Sequence, residues 1–576
     1  MFPALGAQRK TMADAGEGLN RAGVDVVPWV PLRDRAQPVR CSLVAVGVLA
    51  WAGGATVFFR YPLFSSFGLI FGERGDGRMI VYFHEHLFNA LRGKAQLVSP
   101  GFFYPVPDTL GMAPAFLLNL VPYAILRDIG CDPFLAFQLL LVVLSLVCFV
   151  ACLVIATRYL QVRAWIALCA AGLVTFANNL SIKAGVGHTN LLLLYYVPCI
   201  AAIALWGIED FPRIVPRTIA GVAVAAALLA LLFSTDVYTA WMFTLTLLIA
   251  AGAVMALRSR SVAAVMRQHW RPLTVILAVG AIAFGVAFVP FVLIYVPVRS
   301  IAPLRSYQEY LSFAPLPGDI VNVSSWNLLW GWLTGLMRLR QGSETMLAVT
   351  PGMTALFLVF AFVLRKGVLG SGPWQIVFIA CGVAVWALGW LLTLRIGTVS
   401  GFWLVRYLVP GATGIRAGMR LQLIANLWIA LGLAVSLEYW LRTASTGQLG
   451  RRNLIAGGVL LFCLIEQVNL MNNSRLPRTR ELAFLAAVPI PPAECHAFFI
   501  DAPRPADYLD QTDAMWISLR AGLPTLNGLA GWFPPGWDFI GAVDNFDAAR
   551  RWITHTGLRE QVCMYDRATR QWSLFK

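Results

Sequence analysis

Long blocks of apolar residues run through most of the chain and predict its fold. Eleven of these blocks are about 17 to 25 residues long, the length with which an α-helix crosses the hydrocarbon of a bilayer. The predicted spans are 42–59, 134–157, 164–182, 190–208, 217–233, 237–257, 273–297, 346–364, 374–394, 420–441 and 454–470. A further apolar stretch, 110–126, is interrupted by Pro114, Asn119 and Pro122, which favours an interfacial or re-entrant segment over a twelfth span.

Between the first two spans, the outer loop 60–133 contains a segment with two faces that begins at Gly75-Asp76-Gly77. Its side chains recur with the spacing of a helix. The apolar face holds Met79, Ile80, Phe83, Leu87 and Leu91, and the polar face holds Arg78, Tyr82, Glu85, Asn89 and Arg92. This pattern predicts a helix that lies flat on the membrane surface.

The C-terminal residues, 471–576, are more polar than the rest of the chain. Short apolar runs alternate there with helical patterns near 506–521 and 544–556, and a hairpin is predicted through 566–569. We therefore expect an all-α polytopic membrane protein of about eleven spans, followed by a small α/β domain outside the membrane.

Composition excludes a water-soluble enzyme. Of the 576 residues, 58% are apolar and 13% are charged, whereas a soluble domain carries about 25% charged residues. The net charge of +16 could suggest a nucleic-acid partner, but Lys and Arg accumulate in the cytoplasmic loops of membrane proteins. We predict a bilayer protein with no nucleic-acid partner. The sequence also lacks a GxxxxGK[ST] phosphate loop and an HExxH zinc motif.

The basic residues predict the orientation of the chain. With eleven spans and the N-terminus inside, every inner connection is basic, and 110–126 counted as a span would move the cluster at 258–271 outside. The inner residues are Arg158, Arg163, Arg213, Arg258, Arg260, Arg267, Arg271, Arg365, Arg442, Arg451 and Arg452. We expect a cytoplasmic tail at 1–41 without a cleaved signal peptide, a membrane domain at 42–470 and an outer domain at 471–576.

Candidate chemistry lies in the outer loops. Asp76 stands at the start of the two-faced helix, where it could cap the helix amides or act as a general base at the membrane boundary. Glu85 is a second candidate catalytic carboxylate. Alternatively, it forms an ion pair with an arginine. Asp108, in a Pro-Asp-Thr sequence, is either a further carboxylate of the site or a turn residue.

Arginines at the start of the tenth span suit a phosphate group. Arg416 and Arg420 are four residues apart, so they share one helix face if the span begins there, and Arg406 precedes them. One guanidinium group can donate two parallel hydrogen bonds to phosphate oxygens. Alternatively, arginines anchor a helix end by snorkelling. His188 and Asp236 lie in tight outer turns and are candidate substrate ligands or solvated turn residues, whereas Lys183 is expected in a solvated turn.

His84 and His86 point about 200° apart on a helix and cannot share one metal. Cys495 and Cys563 are the two cysteines of the polar C-terminal region. They could form a disulfide there if the compartment is oxidising.

The layout and several short motifs together resemble the C-superfamily of membrane glycosyltransferases (GT-C), which take a sugar from a polyprenyl-phosphate donor. The matching segments are Gly75-Asp76-Gly77, Phe102-Phe103-Tyr104-Pro105, Gly187-His188-Thr189-Asn190, 410–420, 524–528 and 533–537. The resemblance implies that Asp76 is the general base or a metal ligand, and that Arg416 and Arg420 hold the leaving lipid phosphate. Many members carry a second acidic residue in the next outer loop, but 178–189 has none, so a divalent metal at Asp76 stays an open alternative.

These observations lead to one main functional expectation. It is sugar transfer from a polyprenyl-phosphate-linked donor to a cell-envelope glycan or lipid acceptor, on the outer, periplasmic face of a bacterial inner membrane. The alternatives are a transporter or flippase of lipid-linked sugars and a non-catalytic membrane protein of polysaccharide assembly. Inverted repeats, which many transporters show, are not visible in the hydropathy pattern.

Overall fold

A computed structural model describes residues 40–302, 304–365, 374–501, 508–542 and 545–575. Within these residues, ten helices are long and apolar enough to cross a membrane. They are Cys41–Phe58, Pro133–Tyr159, Ala164–Gly185, Thr189–Gly207, Pro216–Thr235, Val237–Gln268, Trp270–Tyr295, Trp374–Thr393, Gly418–Arg442 and Thr446–Glu466. The predicted span at 346–364 contains a shorter helix, Pro351–Val363, of 13 residues. Nearly all of the predicted tail, 1–41, lies outside the described residues.

The spanning helices surround one central member. Gly418–Arg442 is buried along 94% of its most apolar stretch, whereas the corresponding stretch of Trp270–Tyr295 is 0% buried. The latter packs against Pro216–Thr235 and leaves apolar side chains on the surface. A helix that is apolar all round and exposed is stable where its surroundings are lipid. The predicted multi-pass membrane fold is therefore confirmed.

Shorter elements lie between the spans. The helices are Arg60–Phe64, Asp76–Leu91, Leu120–Asp128, Tyr307–Phe313, Gly331–Leu336 and Phe402–Leu408. The strands Arg395–Ile396 and Val399–Ser400 form a small hairpin, and Leu69–Ile70 pairs antiparallel with Leu476–Pro477. As predicted, 110–126 forms short helical turns and no spanning helix.

The helix Asp76–Leu91, called here the Asp76 helix, differs from its prediction. Its polar face was expected to meet water, but Arg78, Tyr82 and Glu85 are buried. Arg78 forms ion pairs with Glu481 and Asp513 of the C-terminal region, whose side chains are also buried. Arg78 is therefore covered by a part of the chain about 400 residues away, which the local pattern does not reveal.

The described residues of the C-terminal region, 471–576, form the predicted small α/β unit. Strand Ala497–Asp501 pairs parallel with Val562–Asp566, which pairs antiparallel with Gln571–Leu574, so the predicted hairpin is confirmed. The helices Arg478–Ala486, Tyr508–Ala521 and Asn545–Thr556 accompany this sheet. Cys495 and Cys563 are joined by a disulfide.

Candidate functional site

The start of the Asp76 helix is capped by Glu73, which leaves Asp76 for other contacts. The Glu73 carboxylate accepts hydrogen bonds from the amide of Gly75 at 2.6 Å and the amide of Gly77 at 3.4 Å. Asp76 is the first residue of the helix and its side chain caps no amide. The capping role considered for Asp76 therefore belongs to Glu73. The Asp76 side chain is 38% exposed and lines an open cavity of about 540 Å³.

His188 is the side chain that contacts Asp76 most directly. Its Nε2 lies 3.3 Å from Asp76 Oδ2, and its Nδ1 is buried without a hydrogen-bond partner in the described structure. The preceding residue, Gly187, has a φ of +87°. A Cβ there would lie 3.0 Å from the Gly77 nitrogen and 2.6 Å from a Glu73 oxygen. Glycine is thus required for the turn that brings His188 to Asp76.

Behind His188 lies a buried charge cluster that we call the Glu344 cluster, made of Lys183, Glu344 and Arg420. Lys183 Nζ lies 2.8 Å from Glu344 Oε1. Arg420 donates to both oxygens of Glu344, at 3.0 Å from Nε and 2.6 Å from Nη2. His188 Nδ1 is 3.9 Å from Glu344 Oε1, which connects the cluster to Asp76. Two cations share one carboxylate, so the cluster carries an excess of positive charge.

Two features of this cluster depart from the expectations drawn from the sequence. Lys183 was expected in a solvated turn, but its side chain is fully buried, so that expectation is wrong. Glu344 was not among the candidate residues. It is the only acidic residue between Asp319 and Glu438 in the sequence, in a loop directly before an apolar block. That isolation beside a predicted span was the signal that could have identified it, because an acidic residue at a membrane boundary is a candidate functional or paired group.

Arg416 and Arg420 do not share a helix face, because Ile415 is extended and the spanning helix begins only at Gly418. The Arg416 backbone amide donates a hydrogen bond to the Tyr238 hydroxyl at 3.0 Å, and its guanidinium lies 5.1 Å from the ring centre of Phe313. The Arg420 guanidinium lies 4.3 Å from the ring centre of Tyr238. Within the described residues, no carboxylate pairs with the Arg416 side chain.

Other candidates lie around or away from this centre. Buried Asp236 accepts hydrogen bonds from Asn190 at 3.2 Å and from the Thr239 amide at 3.2 Å, so it does not lie in a solvated turn. Arg406 donates to the backbone oxygen of Arg305.

Glu85 and Asp108 do not line the Asp76 cavity. Glu85 pairs with Arg127 at 2.8 Å and accepts from Tyr123 at 3.0 Å, as its alternative interpretation proposed. Glu85 lies nine positions after Asp76 along the helix, a rise of about 13 Å. Asp108 precedes a short helical turn that begins at Thr109.

The surroundings shift the pKa values of Asp76, His188 and Glu344. Burial raises the pKa of Asp76 above the usual aspartate range, and the neighbouring Glu73 adds to the rise, whereas Arg420 opposes it. Burial lowers the pKa of His188, helped by the nearby Lys183 ammonium. Burial alone would raise the pKa of Glu344, but Arg420 and Lys183 hold that pKa well below the usual range. Asp76 is therefore a better proton acceptor than an exposed aspartate, beside a neutral histidine.

The donor set around Asp76 does not fit a resident metal ion. The described residues contain no group of three His, Cys, Asp or Glu side chains placed to hold one.

Comparison with known proteins extends these observations. No protein-family model and no curated protein matches the sequence. Among solved structures, the oligosaccharyltransferase of Archaeoglobus fulgidus, solved with zinc and sulfate, matches with a TM-score of 0.51 at 11% identity. The match covers 91% of this chain and 67% of that enzyme.

Two further solved structures show weaker likeness. The arabinofuranosyltransferase AftD from mycobacteria gives a TM-score of 0.47 at 14% identity, covering 86% of this chain and 32% of AftD. ArnT from Cupriavidus metallidurans, bound to undecaprenyl phosphate, gives a TM-score of 0.43 at 12% identity. That match covers 92% of this chain and 93% of ArnT. The chain thus spans about a third of AftD. The likeness to the oligosaccharyltransferase shows that this chain shares the fold of that enzyme, in agreement with the architecture that the resemblance implies, and it shows the fold alone.

Proposed function

We propose that this chain, a multi-pass membrane protein with the GT-C fold, transfers a sugar from a polyprenyl-phosphate donor to an acceptor hydroxyl with inversion. Under this proposal Asp76 is the general base. Arg416 and the Glu344 cluster neutralise the leaving phosphate. We place the reaction on the periplasmic side of a bacterial inner membrane, with the N-terminus in the cytoplasm and residues 471–576 outside.

The observation that carries the proposal is a carboxylate and a cationic centre joined through one histidine. Asp76 lines an open cavity and lies 3.3 Å from His188, which lies 3.9 Å from Glu344. Sugar transfer from a phosphate needs a proton acceptor on one side of the anomeric carbon and positive charge on the other. This arrangement supplies both within one continuous set of side chains.

In the proposed step, the acceptor oxygen bonds to the anomeric carbon and its proton passes to an Asp76 oxygen. The bond from that carbon to the phosphate oxygen breaks, and its electron pair leaves with the phosphate. The raised pKa of Asp76 favours the proton transfer. Since the residues around Asp76 do not fit a metal, no step is assigned to one.

Arg416 is the first choice for contact with the phosphate, because no described carboxylate competes for its guanidinium. Arg420 is already bonded to Glu344, but the two cations of the Glu344 cluster exceed its one carboxylate.

The test uses purified full-length protein in lipid nanodiscs and a panel of polyprenyl-phosphate sugars, with donor consumption followed by mass spectrometry. We expect one donor to be consumed. Arg416→Gln should reduce that turnover by about 10- to 100-fold, the loss of one or more hydrogen bonds to a charged group. Arg92→Gln is the control, because Arg92 is half exposed and pairs with Asp128.

Consumption of no donor in the panel, or full activity of Arg416→Gln, would contradict the proposal. Movement of an intact lipid-linked sugar across the bilayer without cleavage would favour a flippase instead.

A further inference from the structure

The cavity beside Asp76 has two walls from distant parts of the chain. It is lined by Glu73, Asp76, Val186, His188, Ser343, Arg475, Tyr508 and Leu529. The last three belong to the C-terminal region. None of the eight lies in a membrane-spanning helix, and only Val186 and Leu529 are aliphatic.

Tyr508 is held against the backbone that leads into the Asp76 helix. A Cβ on Gly75 would lie 2.2 Å from Tyr508 Cε2, so the ring rests directly on that glycine. Tyr508 is 45% exposed and starts the helix Tyr508–Ala521. Five and eight residues further on, Asp513 pairs with Arg78 and Trp516 donates to the Arg78 oxygen at 3.2 Å. The ring is therefore fixed one residue away from Asp76.

This wall has the chemistry of a site for a sugar ring. An aromatic face carries partial negative charge and attracts the C–H face of a ring that lies flat on it. Arg475 donates to the Gly185 oxygen at 2.6 Å and pairs with no carboxylate among the described residues, so it keeps donors for hydroxyl groups. The carboxylates of Glu73 and Asp76 accept from hydroxyls and oppose an acidic ligand. A neutral polyhydroxyl ring fits these groups.

A lipid alcohol fits the same cavity poorly. Its hydroxyl ends an apolar chain, which would lie against the charged side chains of Glu73, Asp76 and Arg475 and remove them from water.

We infer that the acceptor is a glycan and that its neutral sugar ring stacks on Tyr508, within hydrogen-bond reach of Arg475 and Glu73, with one hydroxyl directed at Asp76. This inference rests on the proposed function and selects between the glycan and lipid acceptors that it leaves open. Tyr508 and Arg475 are specificity-determining residues under this assignment.

The experiment measures binding directly, by saturation-transfer difference NMR on the full chain in nanodiscs. The probes are methyl glycosides of glucose, galactose, mannose and N-acetylglucosamine, with citronellol as the lipid alcohol. We expect at least one glycoside to bind. Its affinity should fall by about five-fold in Tyr508→Ala, the scale of one stacking contact, and should be retained in Tyr508→Trp. Phe533→Ala is the control, since Phe533 is a C-terminal aromatic residue of similar exposure that does not line the cavity.

Unchanged glycoside binding in Tyr508→Ala, binding of citronellol but no glycoside, or no binding of any probe would overturn the inference. A separate measurement of undecaprenyl phosphate binding tests the donor side. Wild-type protein that binds glycosides but no undecaprenyl phosphate would contradict the proposed donor and leave the acceptor assignment supported. Tyr508→Ala should bind undecaprenyl phosphate as wild type does.

Discussion

The Glu344 cluster gives the sharpest prediction for stability. Glu344→Gln removes the one carboxylate that lies between Lys183 and Arg420, whose side chains are 0% and 7% exposed. Two buried cations are then left beside a neutral amide. Because water cannot solvate them, they repel each other at close range without compensation.

The expected cost follows from the burial of all three groups. Removing one partner of a buried ion pair costs about 3–5 kcal/mol, since it leaves an uncompensated buried charge. Lys183→Met should cost less than Glu344→Gln, because it leaves the Glu344–Arg420 pair intact with its two hydrogen bonds. The matched control is Asp128→Asn, whose pair with Arg92 is about half exposed and should contribute about 0–1 kcal/mol.

The free energy of unfolding of each variant can be measured by titrating dodecyl maltoside micelles with sodium dodecyl sulfate. We expect the largest loss of unfolding free energy in Glu344→Gln, a smaller loss in Lys183→Met and the smallest in Asp128→Asn. A loss in Glu344→Gln no larger than that in Asp128→Asn would refute this expectation.

Three further predictions concern the turn, the proton acceptor and the disulfide. Gly187→Ala should reduce transfer strongly, because its Cβ would displace Glu73 and the Gly77 amide, whereas Gly522→Ala, at φ +67° with open space, should not. The rate of transfer should fall on the acid side at a pH above the usual aspartate pKa, because Asp76 must be ionised and its pKa is raised; a pH–rate profile that stays flat down to pH 4 would contradict this. The Cys495–Cys563 disulfide closes a loop of 68 residues, so its reduction should destabilise the C-terminal sheet by about 4 kcal/mol. Thermal unfolding with and without reductant measures this loss, and the Cys495→Ser variant provides the comparison.

The sequence predicts the membrane fold well because a span is a local property. About twenty consecutive apolar residues can be stable in lipid whatever their neighbours are, so ten predicted spans recur as helices of spanning length. The same holds for the hairpin near the C-terminus, because its alternating apolar and polar residues and its turn are also local features of the sequence.

The site is harder to predict because its contacts join distant residues. Lys183 and Glu344 are 161 residues apart, so nothing near Lys183 indicates that it is buried and paired. The polar face of the Asp76 helix looks solvated until Asp513 is placed against Arg78. Asp76 was identified correctly as the first residue of its helix, but the capping carboxylate is Glu73, three positions earlier.

The most direct test of the account is the single-turnover rate of Asp76→Asn with the donor that the wild type consumes. If Asp76 is the general base, the rate should fall by at least about 100-fold, while undecaprenyl phosphate binding stays unchanged. Stability at neutral pH should be equal or higher, because the folded state of the wild type disfavours the charged form of Asp76. A rate within ten-fold of wild type, in protein that is folded and binds donor, would contradict the account.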